Sequence, residues 1–164
     1  MQVETARFGT LDIDGSKLVR FRDGIPGLEE FREFALLQTK ESYPINWLQS
    51  VTDGNVALPV IDMFSVVPDY AFDLGDDDVA QLGLASPDDV LVAGVLVIPD
   101  SIEQMTINLA APVVINLKSG DAKQIILADS EYGARVPIFA EVRGLFAAVN
   151  PDTEDADAGT VEEN

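Results

Sequence analysis

Five aspartates in the middle of the chain are the first candidates for chemistry. The group begins at Asp69, continues through Asp73, and ends with the consecutive carboxylates of Asp76, Asp77 and Asp78. Carboxylate oxygens are ligands that Ca²⁺ and Mg²⁺ prefer, and a pair of carboxylates can act as general acid and base. The spacing nevertheless lacks the glycine and the distal glutamate of an EF-hand loop.

A structural interpretation of the same aspartates is better supported. Gly75 precedes the triplet, and acids in the first turn of a helix meet the positive end of its dipole. We therefore predict a short helix over 77–82 with a solvated acidic face, and neither a metal ion nor a cofactor. A glycosidase-like carboxylate pair is disfavoured because only Tyr70 and Phe72 lie beside it as aromatic side chains.

Composition limits the remaining chemistry. The 164 residues include no cysteine and no histidine, which removes thiolate nucleophiles, Ser-His-Asp triads and ordinary zinc sites. The 29 acidic and 10 basic residues give a formal net charge of −19. Such a charge disfavours direct nucleic-acid binding and an anionic membrane surface. It favours a basic protein as the partner.

The chain ends and the apolar runs indicate a cytoplasmic protein. Residues 1–4 lack the basic and apolar regions of a signal peptide. The apolar run 90–99 is too short to span a bilayer. Residues 151–164 carry six acids and no base, so we predict one domain over 1–150 and an acidic disordered tail over 151–164.

Strand patterns dominate the elements that must position these side chains. Asp14-Gly15 and Asp53-Gly54 are typical of hairpin turns, and Pro68 favours an edge strand or a bulge within 63–74. Gly94 indicates a bulge in the buried run 90–98. Alternating or continuous apolar residues predict strands over 8–13, 17–21, 34–38, 45–51, 56–61, 90–98, 104–109, 112–117 and 123–128.

Helices are predicted to be few. A capping serine with a following proline predicts a short turn at 86–89, and apolar residues at helical spacing predict a C-terminal helix ending at 149. About nine or ten short strands with two or three short helices predict a mainly β fold. We expect a small closed or partly open antiparallel β-barrel.

A rigid corner follows the second predicted strand. Gly24 and Gly27 can adopt positive φ, while Pro26 fixes its own φ and favours an extended Ile25. The apolar residues after the corner recur every third position and predict a short helical turn: Leu28, Phe31 and Phe34.

Two asparagines flank a proline in the second half of the chain. Asn108 and Asn116 lie on either side of Pro112. Buried amides must be hydrogen-bonded, so we expect these side chains to tie strand ends to a neighbouring loop, which we predict to be the corner at 24–27. Trp47, in an alternating strand, is predicted to belong to the core.

Several of these runs occur together in an order that is typical of one family. They are the stretch 21–34 with its G-I-P-G corner, L-Q-S at 48–50, D-Y at 69–70, N-L-A-A-P-V-V-I-N at 108–116, and Q-I-I-L at 124–127 followed by Tyr132. In this combination the chain resembles the FliW family of flagellar assembly factors over about residues 1–145. It departs from the family at the acidic tail and at 61–67, where a longer apolar-aromatic stretch is expected.

The resemblance implies a small β-barrel without catalysis that acts in the cytoplasm. Family members bind flagellin, and they also bind CsrA, a small basic homodimer that represses translation of flagellin mRNA. Free flagellin occupies the factor, and export of flagellin releases the factor onto CsrA. The implied function couples flagellin export to flagellin synthesis.

We place the partner-binding surface on the aromatic and acidic residues Phe64, Asp69, Tyr70, Phe72, Asp73, Asp76, Asp77 and Asp78. The aromatic members of this set are alternatively core residues, and Tyr70 is expected to be the most exposed because its hydroxyl needs water or a partner. The structural signature comprises Gly24, Ile25, Pro26, Gly27, Phe31, Phe34, Asn108, Pro112 and Asn116, which we interpret as scaffold.

Two other function classes are compatible with the residues alone. One is a carboxylate- or divalent-metal-dependent enzyme on a small β-barrel. The other is a structural subunit of a larger acidic assembly.

Overall fold

The computed structural model describes residues 1–128 and 130–149, and within them it has ten β-strands and three α-helices. The expectation of a mainly β fold with few short helices is therefore confirmed. The predicted acidic tail, 151–164, lies outside the described residues, and the single domain over 1–150 stays a prediction. No helix in the described part of the chain is both long and apolar enough to cross a membrane.

The N-terminal hairpin is formed by β1 (Gln2–Thr5) and β2 (Gly9–Asp12), which pair antiparallel. The predicted hairpin around Asp14-Gly15 is wrong. Asp14 instead accepts a hydrogen bond from the Ser16 amide at 3.0 Å and begins a single 3₁₀ turn. This turn carries the chain from the outer hairpin into the barrel rather than back along β2.

Seven consecutive strands form a closed barrel with up-and-down order. Each strand pairs antiparallel with the next, and the ring closes where Arg20 pairs with Asp121 and Phe21 with Ala122 in parallel. The closing pair is parallel because the first and last of an odd number of alternating strands run in the same direction. The barrel strands are β3 (Leu18–Phe21), β4 (Glu33–Gln38), β5 (Asn46–Ser50), β6 (Ala57–Asp62), β7 (Val90–Val97), β8 (Thr106–Asn116) and β9 (Asp121–Gln124).

Two strand predictions have opposite outcomes. The hairpin at Asp53-Gly54 is confirmed, since β5 and β6 pair across it. The separate strands predicted at 104–109 and 112–117 are one strand, β8, with an irregular middle. Between Ala93 and Val95 of β7 the register with β8 shifts, as Gly94 predicted. A short tenth strand, β10 (Val136–Pro137), extends the sheet beside β8.

The helices lie outside the barrel. They are α1 (Met63–Val66), α2 (Asp76–Leu82) and α3 (Phe139–Val149). The edge strand or bulge predicted within 63–74 is wrong, because Met63 and Val66 are buried one helical turn apart in α1 and residues 67–74 form no strand. The predicted helix over 77–82 is confirmed as α2, and it ends at Gly83 with φ +63°.

The barrel interior is closed at one end by the G-I-P-G corner. Phe21 and Phe34 meet edge to face inside the barrel with ring centroids 5.5 Å apart, and Ile25 is buried in the same cluster. Gly24 and Gly27 have φ of +75° and +87°. The helical turn predicted after the corner is wrong, since single i to i+3 turns lead directly into β4.

Candidate functional site

We call the predicted acidic residues of segment 69–78 the acidic face: Asp69, Asp73, Asp76, Asp77 and Asp78. The first four are exposed, and Asp76, Asp77 and Asp78 make up the first turn of α2. Asp78 is half-buried and accepts a hydrogen bond from Lys123 Nζ at 2.7 Å. The third aspartate of the triplet is therefore engaged within the protein, while the others face solvent.

Lys123 connects three elements beneath the acidic face. Its Nζ also donates to Gln81 Oε1 at 3.2 Å and lies 3.8 Å from Asp23 Oδ2, and Gln81 Nε2 donates to that same Asp23 oxygen at 3.0 Å. The hydrogen bond to Asp78 raises the pKa of Lys123, and the hydrogen bond from Gln81 lowers the pKa of Asp23. These contacts join α2, β9 and the loop before the G-I-P-G corner.

The acidic face does not gather its carboxylates around one point. Within residues 1–128 and 130–149, no group of three carboxylates is arranged to hold a metal ion. The chemistry that this surface offers is a negative potential next to aromatic side chains, which suits recognition of a basic protein.

The aromatic residues beside the acidic face differ in exposure from the prediction. Tyr70 was expected to be the most exposed of them, but it is 4% exposed, whereas Phe64 is 45% exposed and Phe72 is half-buried. The Tyr70 hydroxyl donates to the Leu109 carbonyl at 2.7 Å. Burial, together with Tyr132, raises the pKa of Tyr70 to about 12. The irregular middle of β8 supplies the buried acceptor that this hydroxyl needs.

Tyr132 is a member of the aromatic cluster that we did not assign to the site from the sequence. Its ring lies 4.5 Å from that of Tyr70, and its hydroxyl oxygen accepts a hydrogen bond from the Ala71 amide at 3.0 Å. The sequence signal for Tyr132 was its position after the family-like run 124–127. No spacing rule predicts from the sequence that it contacts Tyr70. Among the three predicted aromatic residues, Phe64 has the largest exposed fraction and is therefore the most accessible to a partner.

The predicted asparagine contacts lie elsewhere than expected. Asn116 is buried, and its Nδ2 donates to the carbonyl of Leu82 at 2.8 Å, while its Oδ1 accepts from Lys118 and Ser119 amides. Asn108 Oδ1 accepts from the Ala110 amide within the irregular part of β8. The predicted link to the G-I-P-G corner is therefore wrong. Asn116 holds the C-terminal end of α2, because that helix end has carbonyls without partners.

A second surface, which sequence reasoning did not find, is a cleft of about 530 Å³ on the outer side of the barrel. We call it the arginine-rimmed cleft after Arg7 and Arg143, and the acidic residues Glu41 and Asp100 also line it. Its walls come from the β1–β2 turn, the β4–β5 loop, the end of β7 and α3. The apolar lining includes Trp47, Pro59, Leu96, Val97, Ile102, Met105, Phe139, Val142 and Phe146.

The floor of the cleft crosses three neighbouring strands. Trp47 of β5 pairs with Pro59 of β6, and Leu96 of β7 follows the last β6–β7 pair, Val60 with Val95. Proline has no amide hydrogen to donate to a ladder, and the pairing of β6 with β7 begins only at Val60, the residue after Pro59. The side chains of Trp47, Pro59 and Leu96 line the cleft at this end of the three strands.

A contact with Trp47 fixes the position of Arg7 at the cleft. The Arg7 guanidinium lies 4.1 Å from the centroid of the Trp47 ring, a cation–π contact. Trp47 itself is buried, which confirms its predicted place in the core. Within residues 1–128 and 130–149, neither Arg7 nor Arg143 forms an ion pair. The only sequence signal for this site was the helical spacing of residues 139, 142 and 146 in α3.

Comparisons with known proteins place this geometry in context. Residues 2–138 match the family described as FliW protein. The chain is 34% identical over 148 residues to the flagellar assembly factor FliW of Thermoanaerobacter pseudethanolicus, covering 90% of this chain and 99% of that protein. It is 42% identical over 130 residues to the one from Pseudothermotoga lettingae, covering 79% and 83%. A crystal structure of the flagellar assembly factor FliW superimposes with a TM-score of 0.78 at 34% identity, covering 84% of this chain and 96% of that one.

Proposed function

The chain belongs to the FliW family, and on that premise we propose that it is a non-enzymatic flagellar assembly factor of the cytoplasm. In this proposal it binds flagellin and antagonises the translational repressor CsrA. The observation that carries the proposal is the family match along nearly the whole described chain. The relatives are named as assembly factors rather than as enzymes.

We assign CsrA to the acidic face. CsrA must present a basic surface to hold RNA, and this chain carries a formal net charge of −19. Four exposed aspartates supply long-range attraction, and the exposed ring of Phe64, which precedes them in the sequence, supplies an apolar contact. Occupation of basic CsrA residues by these carboxylates would exclude RNA phosphates or repel them from a neighbouring site.

In this proposal, flagellin and CsrA bind the same population of protein molecules. While flagellin accumulates before export, it occupies the factor and CsrA represses translation. When flagellin leaves the cell, the factor binds CsrA and translation resumes. The proposal therefore requires that flagellin lowers the apparent affinity of the factor for CsrA, by overlap of the bound partners or by coupling between sites.

The test compares charge reversals on and off the acidic face. Asp73→Lys and Asp77→Lys are each expected to weaken CsrA binding by about tenfold, because close charges across an interface steer and stabilise the complex. Glu30→Lys, an equal charge change at an exposed residue of the corner loop, is the matched control and should leave the affinity within about twofold. Calorimetry at low and high salt measures both effects.

Each outcome has a defined meaning. Salt-dependent loss in the two face variants, with wild-type affinity in Glu30→Lys, supports the proposed surface. Wild-type affinity in both face variants refutes it. Absence of CsrA and flagellin binding by the wild-type protein refutes the proposed function itself, and a pull-down from the cytoplasm of the source cell checks this directly.

A further inference from the structure

We propose that the N-terminal hairpin is a hinged lid that opens as a unit from the outer side of the barrel. The hairpin comprises β1, β2 and the turn between them, and the turn residue Arg7 lines the arginine-rimmed cleft. Opening therefore removes one wall of the cleft and uncovers the side of β5 that carries Trp47. The lid regulates the shape of the cleft, and this inference is independent of the partners proposed above.

The backbone of the hairpin is separate from the backbone of the barrel. In the part of the chain that the structure describes, β1 and β2 form a two-stranded sheet that shares no ladder with the eight-stranded sheet. A hydrogen bond of 3.0 Å from the Ala6 amide to the Gly54 carbonyl fastens the hairpin to the β5–β6 turn. The hairpin can therefore lift without breaking a ladder hydrogen bond of the barrel.

Few apolar side chains hold the hairpin against the barrel. Val3 is the one buried residue within 1–12, and it packs in a small cluster with residues of β3 and β4. In the turn, Phe8 meets Trp47 edge to face with ring centroids 6.0 Å apart, next to the contact that Arg7 makes with the same ring. A segment with so few buried apolar contacts opens locally at a lower free energy than the core does.

A buried amide under the hairpin opposes its closure. Gln49 lies on the outer side of β5 with Trp47 and Val51, because alternate residues of a strand share a face. Trp47 contacts the hairpin turn, and Val51 packs against the cluster that contains Val3. Gln49 is fully buried, and its Oε1 accepts no hydrogen bond from the described residues. A buried carbonyl oxygen without a donor is unfavourable, so opening, which exposes it to water, offsets part of the lost packing.

The lid has a latch at one end and a hinge at the other. Side-chain hydrogen bonds of Gln49 and Ser50 hold the shape of the β5–β6 turn, which is the latch. A Cβ at Gly54 in this turn would lie 2.0 Å from the Glu4 carbonyl oxygen, so β1 closes onto the turn only when glycine is present. The hinge is the exposed 3₁₀ turn Gly15–Lys17, which joins β2 to the barrel.

The experiment combines hydrogen exchange of the full chain with fluorescence of Trp47, the one tryptophan of the sequence. Hydrogen-bonded amides of β1 and β2 should share one protection factor, about a hundredfold or more below that of β7, and low urea should change it little. Gly54→Ala should remove this protection, since an isolated hairpin is barely stable, and should shift Trp47 emission to longer wavelength while β7 stays protected. Gly144→Ala, the same substitution with open space around it in α3, should leave hairpin exchange and Trp47 emission at their wild-type values.

A second variant keeps the test decisive if Gly54→Ala does not fold. Val3→Ala removes apolar contact from the closed lid and should speed exchange in β1 and β2 by about tenfold. Wild-type exchange of the hairpin at the rate of β7, with the same dependence on urea, overturns the inference, because the hairpin then opens only when the whole protein unfolds. Unequal protection along β1 and β2 also overturns it, because the hairpin then frays rather than opening as a unit. Wild-type exchange and emission in a folded Gly54→Ala, or no acceleration in Val3→Ala, contradicts the proposed latch and packing.

Discussion

The acidic face and the arginine-rimmed cleft lie on the same barrel but are built in opposite ways. The acidic face comes from one continuous segment, 69–78, whose carboxylates are exposed except for that of Asp78, which pairs with Lys123. The cleft combines the β1–β2 turn, the β4–β5 loop, three strands and α3. A charged surface can thus be formed by residues that are close in sequence. An apolar cleft instead requires that distant segments pack around a gap on the outside of the barrel.

The two surfaces should also respond differently to solution conditions. Attraction between exposed charges is screened by salt over about 8–10 Å at ordinary ionic strength. Burial of apolar area is not weakened in this way and is strengthened by kosmotropic salts. Salt is thus expected to weaken binding at the acidic face more than binding in the cleft.

The largest expected effect comes from Gly120→Ala, which would disturb the barrel that carries both surfaces. Gly120 has φ +85°, and a Cβ there would lie 2.1 Å from the Leu18 carbonyl oxygen. We expect a loss on the order of 3 kcal/mol in the free energy of unfolding, measured by urea denaturation. Gly9→Ala is the control, because Gly9 has φ +69° with no atom within 4 Å, and it should cost about 1 kcal/mol. Equal losses in both variants would show that the clash at the barrel closure is relieved.

The next effect separates the two surfaces. Asn116→Leu removes the donor to Leu82 and the acceptor for Lys118 and Ser119, and should lower the free energy of unfolding by about 2 kcal/mol. Because α2 is then less firmly held, CsrA binding should weaken, while the fluorescence emission of Trp47, which lines the cleft, stays unchanged. Asn55→Leu, in an exposed turn, is the control. A changed Trp47 emission in Asn116→Leu would contradict the independence of the two surfaces.

Tyr70→Phe tests whether the aromatic cluster under the acidic face is structural. The lost hydrogen bond to Leu109 should lower the free energy of unfolding by about 1 kcal/mol, with CsrA affinity unchanged. Because folding raises the pKa of Tyr70, its contribution is fully present below about pH 10 and is lost as the pH rises through the folded-state value of about 12. Denaturation and absorbance titration of wild type and variant measure this. Loss of CsrA binding at wild-type stability would place the hydroxyl in the interface instead.

Lys123→Met should have the smallest effect on stability, about 2 °C or less in Tm, because the lysine is partly solvated. Because folding raises the pKa of Lys123, its contribution is present below about pH 10.4 and is lost as the pH rises through the folded-state pKa. The difference in Tm between wild type and variant should therefore disappear at strongly alkaline pH.

The same variant should affect the two surfaces differently. Loss of the Lys123 cation, which pairs with Asp78, makes the acidic face more negative, so CsrA should associate about two- to threefold faster. The fluorescence emission of Trp47 should stay at its wild-type value, because Lys123 does not line the cleft. Slower association of CsrA would contradict the assignment of CsrA to this face.

Local patterns predicted most of the barrel. The β5–β6 hairpin, the buried β7 strand and α2 follow from a turn dipeptide, a continuous apolar run and acids at a helix start. Strand β1 was missed because Val3 is its only buried residue, so no alternation is visible. The turn at Asp14-Gly15 was misread because its hydrogen bonds begin a 3₁₀ turn, and the partner of β2 lies earlier in the chain.

The sequence by itself determined the acidic charge, the order of the strands and the rigid corner, because turn residues, apolar periodicity and composition act over a few neighbouring positions. Only the tertiary structure decided that Tyr70 is buried, since its acceptor at Leu109 is 39 residues away. It also decided that Trp47 and Arg143 share a cleft. Burial and cleft formation depend on which distant segments pack together, and that information appears only when the barrel closes.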